Sequence, residues 1–175
     1  LQGNYSVTYV AGTLTITSKV IDKDGKNVEV NSPTDHEYDS KAHKWSPTVT
    51  DKKSKKELEA GKDYEVSYDK DNFTNVGTIT VTITGKGNYS GTVTRTYKIT
   101  PKSVTVTADN KSKVFGETDP KLTATVAGTL GNDTVEYTLS REAGEAAGKY
   151  EITVKGDKLQ GNYSVTYVAG TLTIT

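Results

Sequence analysis

Apolar and polar residues alternate along much of this chain, which is the pattern of β-strands that bury one face. The clearest example is TITVTIT at residues 78–84, where Ile79, Val81 and Ile83 share one face and threonines occupy the other. β-branched residues suit a pleated surface better than a helix. Shorter alternating stretches, separated by turn residues, precede and follow this one. The pattern predicts an all-β protein.

One stretch of 17 residues occurs twice. LQGNYSVTYVAGTLTIT fills residues 1–17 and recurs without a change at residues 159–175. Identity over this length indicates a tandem array with a period of 158 residues (159 − 1). We therefore interpret residues 1–17 as the C-terminal strands of a preceding repeat.

The first copy of this stretch predicts local structure of its own. Residues 5–17 alternate on either side of Ala11 and Gly12, which is typical of two strands joined by a turn. We expect an extended hairpin at the head of the domain that follows. The alternative is that this copy replaces residues 159–175 of a neighbouring molecule, an exchange that costs little when the two sequences are identical.

The remainder of the period consists of two related halves. Residues 75–85 align with residues 146–156 on a shared glycine, and Gly-Asn-Tyr-Ser follows in both cases. Pro101 restricts the residue before it to an extended conformation and so marks a short, stiff joint. We expect an elongated pair of small tandem β domains, at residues 18–100 and 101–175.

Composition excludes several classes of partner. The 22 basic and 22 acidic residues give a formal net charge of zero, which removes the electrostatic basis for binding nucleic acid or an anionic membrane. The sequence has no Cys, so it offers no disulfide, thiolate nucleophile or thiol metal site. No apolar run approaches the roughly 18 residues of a membrane span. We expect no nucleic-acid partner and no membrane insertion.

Catalytic and metal-binding motifs are also missing from the sequence. The two histidines, His36 and His43, fall in a polar loop without a serine elbow nearby. Residues 22–27 and 69–72 cluster carboxylates as a calcium loop does, but an EF-hand loop that starts at residue 22 would place Pro33 where the bidentate Glu belongs. Asp and Gly also form turns without metal. We expect no enzyme activity, no cofactor and no metal site.

Aromatic residues are the remaining candidates for ligand contact. Eleven Tyr and one Trp could stack on sugars, although most of the tyrosines fall at alternating strand positions that suit cross-strand packing. Trp45 follows the irregular loop at residues 31–44, and Tyr38 lies within it. We regard these two residues as speculative ligand contacts.

The second half resembles the YGX-type MBG repeats of bacterial surface proteins. The motifs that carry the resemblance are Phe115-Gly116-Glu117-x-Asp119-Pro120-x-Leu122, Arg141-Glu142-Ala-Gly144, Gly148-x-Tyr150-x-Ile152, Asn162-Tyr163 and Gly170-Thr-Leu172-Thr-Ile174. Phe115 stands where the family usually has Tyr. The first half is similar to a companion repeat through Tyr38-Asp39-Ser40-Lys41, Asp63-Tyr64-x-Val66-x-Tyr68 and Gly85-Lys86-Gly87-Asn88-Tyr89.

The resemblance implies small β-grasp-like or sandwich-like modules in a secreted, wall-attached adhesin of a Gram-positive-type bacterium. Some adhesins of this kind carry an isopeptide cross-link from lysine to asparagine. Tyr137, Leu139 and Glu142 resemble the acidic motif of such domains, but Arg141 occupies the acidic slot, and no pattern indicates the buried lysine that the reaction needs.

Two functions follow from this reading. In the first, the chain is a monomeric stalk repeat that contacts adjacent repeats of its own chain and projects a distal binding domain from the cell wall. In the second, the repeats themselves bind host glycan, mucin or protein weakly and gain strength by multivalency. Both place the protein outside the cell, at the cell surface.

Overall fold

The computed structural model describes residues 3–175, and these residues form strands, turns and loops but no helix. The strands of the first half are β1 Lys19–Val20, β2 Val28–Val30, β3 His36–Glu37, β4 Val49–Asp51, β5 Lys56–Glu57, β6 Tyr64–Tyr68, β7 Gly77–Gly85, β8 Tyr89–Ser90 and β9 Thr92–Thr100. Those of the second half are β10 Lys102–Ala108, β11 Lys111–Lys113, β12 Ala124–Ala127, β13 Thr138–Arg141, β14 Gly148–Lys155, β15 Leu159–Gln160, β16 Tyr163–Val168 and β17 Gly170–Ile174. The prediction of an all-β protein is confirmed. No helix long and apolar enough to cross a membrane occurs among residues 3–175.

Three sheets make up the first half. β2, β4 and β5 form an antiparallel sheet, β1 pairs with β8 in parallel, and the third sheet has the order β3-β9-β7-β6. In β7 the predicted apolar face is buried, with Ile79, Val81 and Ile83 inside and threonines alternating with them.

Two four-stranded sheets make up the second half. Their strand orders are β12-β10-β16-β15 and β11-β17-β14-β13. β14 of one sheet contacts β10 and β16 of the other, so the apolar faces of the sheets pack together as in a sandwich. The core contains Val106, Ile152 and Leu172, which are fully buried. This arrangement of two sheets is consistent with the predicted small β domain.

The first and last strands of the second half run parallel in one continuous register. β10 pairs with β16 from Lys102 opposite Tyr163, and β11 pairs with β17 up to Lys113 opposite Ile174. Each paired residue lies opposite the one 61 positions later (163 − 102 and 174 − 113). This register is kept although both segments pass from one sheet to the other between β10 and β11 and between β16 and β17. At that crossing a Cβ on Gly170 would lie 2.5 Å from the carbonyl oxygen of Ala108, so only glycine allows this close approach.

Contacts group the chain into two compact units. The first comprises the described part of Leu1–Asn31, Thr48–Ser67 and Thr82–Thr94. The second comprises Ser32–Pro47, Tyr68–Val81 and Arg95–Thr175. The division of the sequence at Pro101 follows chain order instead, and it stays a prediction.

The prediction of a hairpin within residues 5–17 is wrong. These residues form no strand, and Tyr5, Tyr9, Leu14 and Ile16 are each more than four-fifths exposed. A two-stranded hairpin is marginal in water unless another surface covers its apolar face. The sequence contains the strand pattern, but the structure offers these residues no partner strand. Leu1 and Gln2 lie outside the described residues.

Candidate functional site

The motif residues of the second half bring four charged side chains together, which we call the charge cluster: Lys113, Asp119, Arg141 and Glu145. Lys113 is the last residue of β11, and only 3% of its side chain is exposed. Its Nζ donates to Asp119 Oδ1 at 2.7 Å, to Glu145 Oε2 at 2.5 Å and to the carbonyl oxygen of Glu117 at 3.1 Å. The three donors of the buried ammonium group therefore have three acceptors.

Arg141, the last residue of β13, holds the same two carboxylates from the other side. Its Nε and Nη2 donate to the two carboxylate oxygens of Asp119 at 2.8 and 3.1 Å, and Nη2 also donates to Glu145. Nη1 donates to the carbonyl oxygens of Glu142 at 2.9 Å and Gly144 at 2.5 Å. The planar guanidinium group suits this task because its fork of donors matches a carboxylate.

The four groups stabilise one another in their charged forms. Hydrogen bonds from Arg141 and then from Lys113 lower the pKa of Asp119 to about 2. Lys113 and then Arg141 lower the pKa of Glu145, while Asp119 and Glu145 raise the pKa of Lys113. Amide formation between a lysine and a carboxylic acid needs a neutral amine and a protonated acid, and this arrangement favours the opposite forms. The charge cluster is therefore suited to tie strands together by ion pairs.

A glycine-containing turn places the first carboxylate of the cluster. Gly116 has a φ of +86°, and the turn is closed by a bond from the Glu117 N–H to the Val114 carbonyl oxygen at 3.1 Å. The Glu117 carboxylate accepts from the Val114 N–H at 3.0 Å, and the Phe115 N–H donates to the carbonyl oxygen of Thr175 at 2.8 Å. The Phe115 ring itself is exposed. The Phe-Gly-Glu motif thus shapes the backbone ahead of Asp119.

A second glycine makes room for an aromatic ring beside Arg141. Gly144 has a φ of +149°, and a Cβ there would lie 2.2 Å from the Tyr150 ring. That ring lies 5.8 Å from the guanidinium carbon, within the range of a cation–π contact. Its hydroxyl donates to the carbonyl oxygen of Ala146 at 2.8 Å. The Arg-Glu-Ala-Gly motif and Tyr150 therefore form one packed corner.

A known family covers the charge cluster and the strands from β10 to β17, except for the first residues of β10 and the last residue of β17. Residues 104–173 match the family model of the MBG domain (YGX type). The match covers less than half of the chain and confirms the resemblance for that part. An MBG domain indicates a repeat module of surface proteins. No curated protein matches the chain.

Tyr163 of the MBG domain contacts a tyrosine from before Pro101. The rings of Tyr38 and Tyr163 meet edge to face, with centroids 5.6 Å apart. Both hydroxyls donate to Asp133 Oδ2, from Tyr163 at 2.5 Å and from Tyr38 at 3.5 Å. The Tyr163 hydroxyl also accepts from the Leu130 N–H at 3.0 Å. Burial, together with this carboxylate, raises the pKa of Tyr163, so its hydroxyl keeps its proton at neutral pH.

Polar contacts lie beside the tyrosine pair. Asn162 Oδ1 accepts from the Val76 N–H at 2.9 Å, and Asn162 Nδ2 donates to Asn75 Oδ1 at 3.1 Å. Lys102 Nζ donates to Glu37 Oε1 at 3.1 Å. These contacts join residues on both sides of Pro101, and Asn162 and Tyr163 belong to the stretch that occurs twice in the sequence.

The two speculative ligand residues have different surroundings. Tyr38 is 7% exposed and packs against Tyr163. Trp45 is half-buried; its carbonyl oxygen accepts from the Tyr68 hydroxyl at 2.8 Å, and its N–H donates to the Tyr97 hydroxyl at 3.4 Å. Next to Trp45, Lys44 Nζ lies 4.6 Å from the centre of the Tyr68 ring. A ligand role for Tyr38 or Trp45 stays a prediction.

The remaining candidates form local contacts. His36 and His43 stack with ring centres 4.2 Å apart, and His43 Nε2 lies 2.8 Å from Asp39 Oδ1. In the first acidic turn, Asp22 Oδ1 accepts from the Lys26 N–H at 2.8 Å. Within residues 3–175, no group of three or more His, Cys, Asp or Glu side chains could hold a metal ion.

Sequence reasoning missed Lys113 because a lysine in a polar stretch is normally exposed. The available signal was its position two residues before Phe115 and Gly116, at the end of a short strand. Pairing with Ile174 turns its side chain inward, toward acids that are 6 and 32 positions away in sequence. The sequence placed Arg141 in a family motif and in the acidic slot of the cross-link motif, but it did not indicate that Arg141 binds both carboxylates of the charge cluster.

Proposed function

We propose that this chain is a structural spacer repeat of a bacterial cell-surface adhesin, without enzymatic activity, that holds a distal binding domain away from the cell wall. In this role its partners are adjacent repeats of the same chain. The residues before Pro101 serve as the companion repeat of the MBG domain. The protein acts outside the cell as part of a wall-attached stalk.

The parallel pairing of the first and last strands of the MBG domain is the observation that supports this proposal. A force along the chain pulls the start of β10 and the end of β17 in opposite directions. β10 with β16 and β11 with β17 are paired in one register. The force therefore acts along the strands, and it loads all of their hydrogen bonds in shear at the same time. A spacer between a wall and a bound target needs this resistance.

Single-molecule stretching of the full chain tests the proposal. The sequence has no Cys, so two introduced cysteines give unique handles. Handles at Ser103→Cys and Thr175→Cys load the parallel strands in shear. Ser103 and Leu159 lie on either side of Ser164, at the same end of this sheet. Handles at Ser103→Cys and Leu159→Cys therefore pull neighbouring strands apart from one end and open their hydrogen bonds one after another. We expect a clearly higher rupture force in the first geometry; equal forces in the two geometries would contradict a load-bearing role.

A second candidate function is weak multivalent adhesion to host glycan or protein. Lys44, which precedes the half-buried Trp45, lies over the rings of Tyr68 and Phe73. This arrangement favours adhesion, since aromatic and cationic groups together suit a sugar surface. A glycan array compares one copy of the chain with a tandem of several copies. Signal that rises with copy number and falls with Trp45→Ala supports adhesion, and no signal in either format favours the spacer.

A further inference from the structure

Four lysines crowd the turn between β4 and β5. We call residues 52–56 the lysine turn, and its lysines are Lys52, Lys53, Lys55 and Lys56. All four are exposed. Lys52 Nζ reaches the carboxylate of Glu29 at 3.9 Å, and the other three lysines form no ion pair within the described residues. Like charges at such close spacing repel one another, so folding alone does not favour this cluster.

The acid beside the lysine turn faces inward instead of neutralising it. Asp51 is 5% exposed, and both of its carboxylate oxygens accept from Lys19 Nζ at 2.7 Å. Asp51 Oδ1 also accepts from the N–H groups of Lys53 at 2.9 Å and Ser54 at 3.1 Å. Hydrogen bonds from Lys19 and from this backbone hold the pKa of the Asp51 carboxyl well below its usual value. Asp51 therefore shapes the turn and leaves its four lysines unneutralised.

The backbone of the turn holds one of its lysines in an unusual conformation. Lys55 has a φ of +59°, a region that glycine and asparagine adopt more readily than lysine. The Lys55 N–H donates to the carbonyl oxygen of Asp51 at 2.8 Å, which fixes this conformation. The sequence thus has a positive charge where another residue would suit the backbone better.

A second turn brings two further lysines beside the first. The Lys52 N–H donates to the carbonyl oxygen of Asn27 at 3.0 Å. Asn27 is the last residue of the turn at residues 22–27, which contains Lys23 and Lys26. Both of these lysines are exposed. The two turns therefore present six lysines on one region of the surface.

These turns concentrate positive charge in a chain whose net charge is zero. Residues 22–27 and 52–56 contain six lysines and two aspartates, so their formal charge is +4 (6 − 2) and that of the remaining residues is −4 (0 − 4). Exposed charges act over about 10 Å at 0.1 M salt. The region can therefore attract anionic groups that come close, although the chain as a whole has no net charge to attract them from a distance.

The chemistry of the side chains indicates the class of ligand. An ammonium group on a flexible stem is a hydrated point charge and lacks the planar fork with which arginine binds a single phosphate. Six such groups on two turns suit negative charges that are distributed along a polymer. Neither turn contains an arginine or an aromatic residue, so the bases of a nucleic acid would have no side chain to stack on.

We propose that the lysine turn, together with Lys23 and Lys26, binds an anionic polysaccharide that carries sulfate or phosphate groups. The ammonium groups pair with these anionic groups, and the release of counterions from the polymer favours binding. The site shares no residue with the paired strands of the MBG domain or with the surroundings of Trp45. The inference is therefore independent of both functions proposed above.

Two variants of equal net charge separate the lysine turn from a general effect of charge. The first carries Lys52→Gln, Lys53→Gln, Lys55→Gln and Lys56→Gln. The control changes four exposed lysines that have no ion pair within the described residues: Lys98→Gln, Lys121→Gln, Lys149→Gln and Lys158→Gln. Each variant has a formal net charge of −4 (0 − 4). Both sets of substitutions are at the surface and leave the contacts of Asp51 in place, and circular dichroism checks that the β structure is kept.

Binding of the full chain to immobilised dextran sulfate and dextran phosphate tests the proposal, with unmodified dextran as the blank. We expect the control variant to bind nearly as tightly as the wild type and the lysine-turn variant to bind at least about tenfold more weakly. Wild-type affinity should also fall at least about tenfold between about 50 and 200 mM salt. Binding to either charged polymer supports the proposal, and the tighter of the two identifies the anionic group.

Four outcomes would overturn the proposal. An equal loss of binding in the two variants would mean that only net charge matters. Absence of binding to both charged polymers, or equally tight binding to unmodified dextran, would exclude an anionic polysaccharide. Tighter binding to single-stranded DNA than to dextran sulfate would assign the lysine turn to nucleic acid. Trp45→Ala should bind dextran sulfate as the wild type does, and a loss as large as that of the lysine-turn variant would place the site at Trp45.

Discussion

Val104 lies opposite Val165 in the parallel pair of β10 and β16, and both side chains are buried. Their separation of 61 positions is repeated at every pair along the two strands and continues into β11 and β17. Such a long-range parallel pair forms only when the last residues of the half are in place. Residues 159–175 therefore determine whether residues 101–175 form a complete domain.

The two copies of the repeated stretch allow one substitution to be compared in two environments. Val165→Ala removes two buried methyl groups and should lower the free energy of unfolding by about 1.5–3 kcal/mol. Val7→Ala changes the same residue in the same local sequence, but Val7 is 66% exposed, so we expect a change below about 0.5 kcal/mol. Urea unfolding of both variants measures the difference. Equal effects would mean that residues 3–17 are packed in solution.

The strands that the sequence predicted best are those whose partners lie close in the chain. In β7 the alternation of Ile79, Val81 and Ile83 with threonines was enough, because β9 follows after a short turn. Residues 5–17 alternate as regularly and form no strand. Periodicity reports that a residue can be half-buried, but burial also needs a surface to pack against, and the pattern contains no information about that surface.

The charge cluster was harder to predict because its members are distant in sequence and individually ordinary. The motifs around Asp119 and Arg141 supported the family resemblance. Glu145 had no signal beyond its charge, and Lys113 had only its position two residues before Phe115. Only the pairing of β11 with β17 places the Lys113 side chain inside. The side chains of the cluster therefore became recognisable only from the strand register.

Trp45, the only tryptophan of the chain, can report whether the halves unfold separately. Ile152→Ala in β14 should cost about 2–4 kcal/mol and shift only the transition of the second half. Tyr68 and Tyr97, which hold the Trp45 backbone, both precede Pro101. If the chain divides at Pro101 as the sequence predicts, Trp45 fluorescence should keep its wild-type midpoint while circular dichroism shows a second transition at lower urea. A fluorescence midpoint that falls as well would instead follow the compact unit that contains both Trp45 and Ile152.

The control for this experiment is Ile79→Ala, which removes a buried side chain of β7 and should lower the midpoint of Trp45 fluorescence. If Ile152→Ala displaces the fluorescence midpoint by as much, then the contacts of Tyr38 and Asn75 with the MBG domain couple the halves into one cooperative unit.

Gly144 should be intolerant of any side chain. Gly144→Ala places a methyl group against the Tyr150 ring and imposes a φ that L-residues rarely adopt, so we expect a loss of about 1–3 kcal/mol. Gly148→Ala provides the matched control, because its nearest neighbours would lie 3.9 Å away. Urea unfolding should show the loss only for Gly144→Ala, and a loss of the same size for Gly148→Ala would assign the effect to something other than the Tyr150 contact.

The charge cluster should make the stability of the second half depend on acidity. The pKa of Asp119 is about 2 in the folded chain, below its ordinary value near 4. A carboxyl group whose pKa falls on folding stabilises the folded state above its unfolded pKa, and this contribution disappears as the pH falls through the folded pKa. We therefore expect unfolding free energy to decrease between about pH 4 and pH 2.

Asp119→Asn isolates this contribution from those of other acids, because hydrogen bonds in the folded chain also lower the pKa values of Glu145, Asp109 and Asp51. Urea unfolding of the wild type and of Asp119→Asn is compared at pH values from 7 down to 2. The wild type should be the more stable at pH 7, and its advantage should shrink as Asp119 gains a proton. An advantage that stays constant over this range would mean that the Asp119 carboxylate is not held by Arg141 and Lys113 in solution.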